Sequence, residues 1–332
     1  MNKIIIITQY TSITAGRDCS RFGYVAKMLA EGNYNVELIS TNFFHKTKKH
    51  REKEEDVISK LGYKVTLLQE PGYKKNVSLR RFYSHWKLAR NLKIYLDKME
   101  EKPDIMYCAV PSLDVAKVAA RYAQKNNIRF IIDIQDLWPE AFKMVFHIPI
   151  ISNLIFFPMK KEANYIYSQA DDIIAVSETY ANRASIVNRK YKHKLSIYLG
   201  TDLDYFDQCK DNNQTNNSED KIKLVYIGTL GHSYDIPTVI DALKILENKG
   251  ITNIELLVMG DGPLKEKFEN YALQKKAKVI FTGRLNYANM VEKLCKCDIA
   301  INPIAKGAAQ SIINKVGDYA AARITRGKLT RM

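Results

Sequence analysis

Near its end the chain reads AAQSIINKVGDYAAA over residues 308–322, and three of its polar side chains suit a ligand site. Gln310 and Asp318 stand eight positions apart, about two helical turns, so both can line one face of a site. Lys315 lies near that face and can meet a phosphate. An apolar strand at 299–304 runs into a small-residue loop, and a helix is expected to start near Ser311. Open α/β sheets bind ligands at such a place, the carboxyl end of a strand beside a helix N-terminus. The same residues also suit an ordinary strand–loop–helix connection with a solvated Lys and Asp.

Two further groups have spacing that suits chemistry. Gly228, Thr229 and Gly231 form a glycine-bracketed turn after the apolar run 224–227, and such a turn lets backbone N–H groups approach a diphosphate. The strand expected at 130–134 ends in DIQDLWPE, residues 133–140. Acids and a Trp-Pro at a strand's carboxyl end point to a cleft rather than a cap. Glu140 suits either that cleft or the first turn of a helix.

The elements that must hold these residues follow an alternating pattern. Continuous apolar strands are expected at 3–10, 35–41, 64–68, 104–110, 130–134, 172–176 and 194–199, as buried parallel sheets require. Ser20 can cap a helix whose apolar face is Phe22, Val25, Ala26 and Leu29. Helical patterns at 112–125 and 160–168 lie between later strands, giving βαβ units throughout. The loop after the first strand contains Gly16 and Arg17 but no G-x-G-x-x-G, which argues against a dinucleotide site. The charged stretch 44–56 reads as an excursion. The apolar stretch 147–159, interrupted by Pro149 and Pro158, reads as core packing. Residues 207–221 are polar and low in complexity, so a linker is placed at 201–222 between domains at 1–200 and 223–332. In the second domain Asp235 is expected to cap a helix with Pro237 in its first turn.

A length of 332 residues suits two domains. Residues 1–200 hold 32 Lys and Arg against 20 Asp and Glu, so most of the net charge of +15 lies in the first domain. That domain attracts anions. Its most basic stretch, 73–95, has seven Lys/Arg, no acid and five aromatics. From residue 79 it reads as an amphipathic helix with Phe82, Trp86, Leu88 and Leu92 among its apolar positions. Lys74, Lys75, Arg80, Arg81 and Trp86 then suit an anionic membrane surface, or a helix docked on its own domain with a solvated basic face. No apolar run is long enough to span a bilayer, and the opening residues lack signal-peptide character. Five scattered cysteines argue for a reducing compartment. Cys295 and Cys297 read as small buried hydrophobes, with no metal site expected.

In order, VYIGTLG, GDGP, FTGR, CDIAINP and the 308–322 stretch resemble the donor domain of glycosyltransferase family 4, retaining enzymes of the GT-B type. DIQDLWPE resembles a motif of that family's polysaccharide-building members. The resemblance implies two facing Rossmann-like α/β domains, the second incomplete. It puts Gly228, Thr229, Gly231, Arg284, Lys315 and Asp318 around a nucleotide-diphospho-sugar, expected to be UDP-linked, with Asp318 on the ribose. Gln310 stands where the family carries its first acid, near the sugar. Asp136 lies near sugar and acceptor, while Gly16 and Arg17 lie on a cleft loop. Relatives often place an Arg and a Lys just after the first glycine turn. Thr229 and His232 stand there instead, which shifts the diphosphate's load to Lys315 and helix N-termini.

The implied reaction is glycosyl transfer with retention, without a metal or other cofactor, to a polyprenyl-diphosphate-linked saccharide at the cytoplasmic membrane face. A UDP-sugar 2-epimerase of the same fold and a donor-binding pseudoenzyme remain open. The absence of a recognised nucleic-acid motif argues against a nucleic-acid partner. After Ala322 the family's Gly-Xaa-Pro-Val gives way to RITRGKLTRM. A one-base slip in the coding sequence would produce such an ending. The expectation is therefore of a truncated chain whose Asp318 helix lacks its neighbouring strand and whose transferase activity is weak or absent.

Overall fold

Ile4, Ile5, Ile6 and Ile7 have no polar neighbour to turn toward water, and all four are buried. This requires cover on both faces, which a parallel sheet flanked by helices supplies. The computed structural model describes residues 2–13, 20–51, 58–75, 78–143, 149–210, 221–306 and 315–327. They fall into two units, Met1–Tyr198 and Leu199–Met332.

The strands of the first unit are β1 (Lys3–Ile7), β2 (Asn35–Thr41), β3 (Phe43–Phe44), β4 (Lys49–His50), β5 (Lys64–Leu68), β6 (Ile105–Val110), β7 (Arg129–Ile134), β8 (Asp172–Ala175) and β9 (His193–Ser196). Seven of them form a parallel sheet in the order β5-β2-β1-β6-β7-β8-β9. The order reverses between β1 and β6, as in doubly wound folds. The stretch 44–56, expected to be an excursion, instead supplies part of the antiparallel β3–β4 ribbon.

Local chemistry sets the helices. Ser20 Oγ accepts from Gly23 N–H at 3.3 Å and starts the helix Arg21–Glu31, as expected. Ser78 Oγ does the same for Arg81 N–H at the start of Leu79–Asp97. Leu88, Leu92 and Leu96 recur every fourth residue on that helix and enter the core. Phe82 and Trp86 do not share that face, and stand 48% and 50% exposed. The helix Pro149–Gln169 runs through Pro158. Leu154, Ile155 and Phe157 are exposed rather than packed in the core. Among the described residues, no helix is long and apolar enough to cross a membrane.

A buried ion pair fastens the first unit. Asp133, at the carboxyl end of β7, has no exposed side-chain surface and accepts from Arg21 Nε at 2.7 Å. It also accepts from Tyr107 Oη and from Gln135 Nε2. Arg21 reaches on to the carbonyl of Ile197, tying the first helix to the chain after β9.

The second unit has β10 (Ile222–Ile227), β11 (Ile254–Met259), β12 (Val279–Gly283), β13 (Ile299–Ile301) and β14 (Thr325–Gly327), in the parallel order β12-β11-β10-β13-β14. Two expectations are corrected here. The span 201–222, read as linker, contains the helix Leu203–Cys209, whose Phe206 is fully buried in the second unit's core. The helix carrying Asp318 does not lack a following strand, because Thr325–Gly327 pairs with β13.

Replacing Asp133 by Ala leaves the Arg21 guanidinium buried without its counter-charge, which costs about 3–5 kcal/mol. The double variant Asp133→Leu, Arg21→Met should cost clearly less. Urea unfolding of the wild type and these two variants measures both changes.

Candidate functional site

The strand order of the second sheet reverses between β10 and β13, and the chain leaving each strand meets there. Asp235 N–H donates to Pro303 O at 2.9 Å and Ala305 N–H to Ser233 O at 3.0 Å. Asp235 also caps the helix Ile236–Asn248, accepting from Thr238 N–H at 3.1 Å. Tyr319, on the helix Lys315–Ala321, spans the reversal: its hydroxyl accepts from Ile227 N–H at 2.9 Å and points its proton at Ile301 O, 3.5 Å away. This crevice is where doubly wound sheets bind ligands.

The glycines after β10 and β11 let two backbones touch. A Cβ at Gly260 would lie 1.8 Å from the Gly228 carbonyl oxygen, and one at Gly262 would lie 2.4 Å from that of Leu230. Gly228 itself has φ +136°, a region closed to other side chains. The contact consumes donors: Gly228 N–H bonds Met259 O and Leu230 N–H bonds Asp261 O, both at 2.9 Å. Thr229 and Gly231 N–H have no protein acceptor among the described residues. The turn thus offers alternate N–H groups to an anion rather than a continuous row.

Lys315 lies directly beneath this turn. Its Nζ sits 2.9 Å from where a Gly228 Cβ would be, 3.8 Å from the Tyr226 ring centre and 4.2 Å from that of Tyr234. Lys315 is only 9% exposed, and Nζ has no hydrogen-bond acceptor among the described residues. Burial brings its pKa down to about 7, while the two aromatic faces favour the ammonium. A cation here acts on a ligand above the turn through a low-dielectric gap.

Asp318 is held rather than free. Its Oδ1 accepts from Thr201 Oγ1 and Tyr287 Oη, each at 2.9 Å. Burial raises its pKa, and these two bonds oppose that rise. Among the described residues, both bonds fall on Oδ1 and none on Oδ2. Arg284 stands exposed at the carboxyl end of edge strand β12, two strands from β10. Thr229 is exposed on the turn, its carbonyl accepting from Tyr226 Oη at 2.8 Å. Gln310 lies outside the described residues, as do Gly16 and Arg17.

In the first unit Asp136 spends both oxygens locally. Oδ1 accepts from Leu137 N–H at 2.9 Å and Oδ2 from the Trp138 indole at 3.2 Å, while burial raises its pKa. Glu140 begins a short helix and pairs with Arg183 at 2.6 Å. Of the residues expected at a membrane, Lys74, Lys75, Arg80 and Trp86 are exposed. Arg81 is corrected: it turns inward, donating to Tyr10 Oη at 3.0 Å and lying 4.8 Å from the Trp138 ring centre. The reason is local, since Trp138 and Tyr10 offer its guanidinium a flat face and a hydroxyl that water-facing neighbours do not.

Sequence reading missed Tyr226, Tyr234, Tyr287, Tyr319 and Thr201. The first two precede and follow the glycine turn, and their position there was the available signal. Thr201 gave none.

Each unit is a Rossmann-like parallel α/β sheet, and the fold of the chain matches that of GT-B glycosyltransferase structures. Residues 207–309 match the family model described as Glycosyl transferases group 1, a stretch that includes the 228–231 turn and Arg284. The chain thus carries a group 1 glycosyl transferase domain. Solved structures share the fold. HepE of Anabaena in complex with UDP-glucose aligns at 13% identity and TM-score 0.61, over 98% of this chain and 80% of that one. WaaG, a glycosyltransferase involved in lipopolysaccharide biosynthesis, aligns at 14% and 0.61 over the same shares, 98% and 80%. Sucrose-phosphate synthase from Thermosynechococcus elongatus aligns at 16% and 0.62, over 93% and 78%. No curated protein sequence matches the chain.

The backbone contact at Gly260 has no flexible atom to move aside. Gly260→Ala should therefore lower the stability of the second unit by about 1–3 kcal/mol or more. Gly62→Ala, where a Cβ meets nothing within 4 Å, serves as the neutral control. Thermal unfolding followed by circular dichroism reads the difference.

Proposed function

We propose that the chain is a retaining glycosyltransferase of family 4 that takes a sugar from a UDP-sugar and passes it to a polyprenyl-diphosphate-linked saccharide in surface-polysaccharide synthesis. The observation that carries the reading is the three-part arrangement at the second sheet's reversal point. A glycine turn offers alternate N–H groups, a buried Lys315 lies beneath it, and Asp318 has one uncommitted oxygen. Each part suits one piece of a UDP-sugar: the turn and Lys315 the diphosphate, Asp318 the ribose hydroxyls. The UDP-glucose complex of HepE supports this choice of donor.

In the transfer, the bond between the anomeric carbon and the diphosphate oxygen breaks, and an acceptor hydroxyl forms the new bond. The hydroxyl's proton leaves with the departing phosphate or to solvent. Negative charge grows on the diphosphate, so a fixed cation and backbone donors stabilise the transition state more than the ground state. Lys315 protonated beneath the turn fills that role. Gln310 is assigned to the sugar, Arg284 to the outer edge of the donor, and Asp136 to positioning near the acceptor. No residue is assigned as a nucleophile.

The first unit supports a place at an anionic membrane surface. Leu79, Phe82, Tyr83 and Trp86 expose apolar area on the helix Leu79–Asp97, next to exposed Lys74, Lys75 and Arg80. Apolar residues flanked by cations suit a headgroup layer.

Calorimetry with UDP tests the donor site. Asp318→Ala should weaken UDP binding by about 1.5–3 kcal/mol, and unchanged binding would overturn the ribose assignment. Lys315 titrates near 7 in the free protein, and a bound diphosphate favours its ammonium form. At pH 8, UDP binding should therefore take up protons, and affinity should fall as pH rises from 7 to 9. Titrations in two buffers of different ionisation enthalpy read the uptake, which Lys315→Met should abolish.

Sedimentation with phosphatidylglycerol vesicles tests the membrane surface. The triple change Lys74→Ser, Lys75→Ser, Arg80→Ser should weaken binding by about 1 kcal/mol per residue. Leu79→Ser with Trp86→Ser should weaken it as well. Retention of both variants on the vesicles at moderate salt would count against this surface.

A further inference from the structure

The first unit holds a cationic and aromatic constellation that the donor reading leaves unused. The β3–β4 ribbon is pinned at the carboxyl end of the sheet by Arg51. Its N–H donates to Asn42 O at 2.7 Å, and its guanidinium donates to Thr41 O at 3.0 Å and Thr11 O at 2.6 Å. Pinned this way, the ribbon's tip presses His45 against Tyr10 and Tyr73, with ring centres 4.9 Å and 5.6 Å apart. Lys48 Nζ lies 2.9 Å from His45 Nδ1 and 4.9 Å from the Tyr73 ring centre. Arg81 also lies over the Tyr73 ring, 5.4 Å from its centre. Beside these groups is a cavity of about 180 Å³ lined by Tyr10, Thr11, Ser12, Ser20, His45 and Lys46, several times the roughly 30 Å³ of a water molecule.

Positive charge is crowded here. Burial, reinforced by Lys48 and Arg81, pushes His45 down to about 4. Burial, reinforced by Arg81, pushes Lys48 down to about 8. Among the described residues, the two nearby carboxylates are engaged elsewhere. Glu70 accepts from Gln9 and Ser84, and Asp136 from Leu137 and Trp138. Among the described residues, Lys48 has no carboxylate at ion-pair distance. A multiply charged anion entering the cavity would relieve this repulsion while accepting from Lys46, Lys48, the Tyr10 hydroxyl and the small hydroxyl residues of the wall.

Resting on the transferase reading above, we propose that this cavity is the acceptor subsite for a diphosphate group, held by Lys46, Lys48 and His45 against Tyr10 and Tyr73. Its placement suits a diphosphate that carries a lipid. Arg81 reaches the cluster from the helix whose Leu79, Phe82, Tyr83 and Trp86 are exposed. The anionic group and the chain attached to it thus meet neighbouring parts of one element.

Farnesyl diphosphate serves as the probe, with farnesol as its uncharged counterpart. The wild type should bind farnesyl diphosphate at least tenfold more tightly than farnesol, and inorganic pyrophosphate should compete. Lys48→Gln should erase most of that preference, and Lys48→Arg should restore it. UDP binding, measured on the same preparations, should stay unchanged in both variants. Equal binding of farnesyl diphosphate and farnesol, or full preference retained in Lys48→Gln, overturns the proposal while leaving the donor site intact. If Lys48→Gln instead releases the protein from phosphatidylglycerol vesicles without altering farnesyl diphosphate binding, the cluster reads a membrane headgroup and the acceptor assignment falls. Loss of UDP binding in the wild type would reject the transferase reading separately.

Discussion

Two carbonyl-bearing turns touch where Gly260 meets Gly228, and the second unit depends on that contact. No side chain fits between them. The contact fixes the height of the 228–231 turn above the sheet and uses two of its N–H groups. It thereby leaves a pocket beneath the turn in which a long side chain from the far side of the reversal can end. Lys315 occupies it, and Tyr226 and Tyr234 supply two electron-rich faces in place of a carboxylate. A carboxylate partner would have neutralised the cation. Aromatic faces lower the cost of its burial without cancelling its charge toward a ligand.

The first unit builds its own cationic centre by a related route. Tyr10, Tyr73 and Trp138 form aromatic walls around Arg81, and the β3–β4 ribbon brings Lys48 and His45 to them. Beneath lies a buried polar network in which Gln9 joins Ser112 on one side to Glu70 and Ser84 on the other. The network ties the chain after β1 to the chain after β5 across the intervening β2, and both segments bear residues of the cluster. Glu70 Oε1 takes both bonds, and Glu70 Oε2 has no partner among the described residues.

Much of the architecture was legible in the chain because it rests on local signals. Strands β2 and β5 and the start of the helix at Leu79 fall where apolar patterning puts them, and the first helix starts at its expected cap, Ser20. The glycine turns were legible as turns, but not as partners, since mutual contact between residues 228 and 260 is a tertiary fact. The errors share one cause. Helical period assigns a face but not its neighbour, so Trp86 and Phe82 were placed with Leu88 although they stand in solvent, and Arg81 was placed outside although Trp138 draws it in. The ribbon at 43–50 was hidden because its strands are two residues each, too short for any alternation to register. Asp318 was picked out by motif, yet its partners Thr201 and Tyr287 lie 117 and 31 residues away.

That bond from Thr201 has an architectural consequence. The strands of the second unit begin at Ile222, but its side-chain contacts begin some twenty residues earlier. Phe206 fills the core beside Met290 and Tyr319, Thr201 holds Asp318, and Tyr205 stacks on Tyr287 with ring centres 5.4 Å apart. A second unit excised at its first strand would forfeit all three and open a hole in its own interior. The natural seam for exchanging this unit between chains of the same fold therefore falls before Leu199, ahead of the polar stretch that looks like a joint.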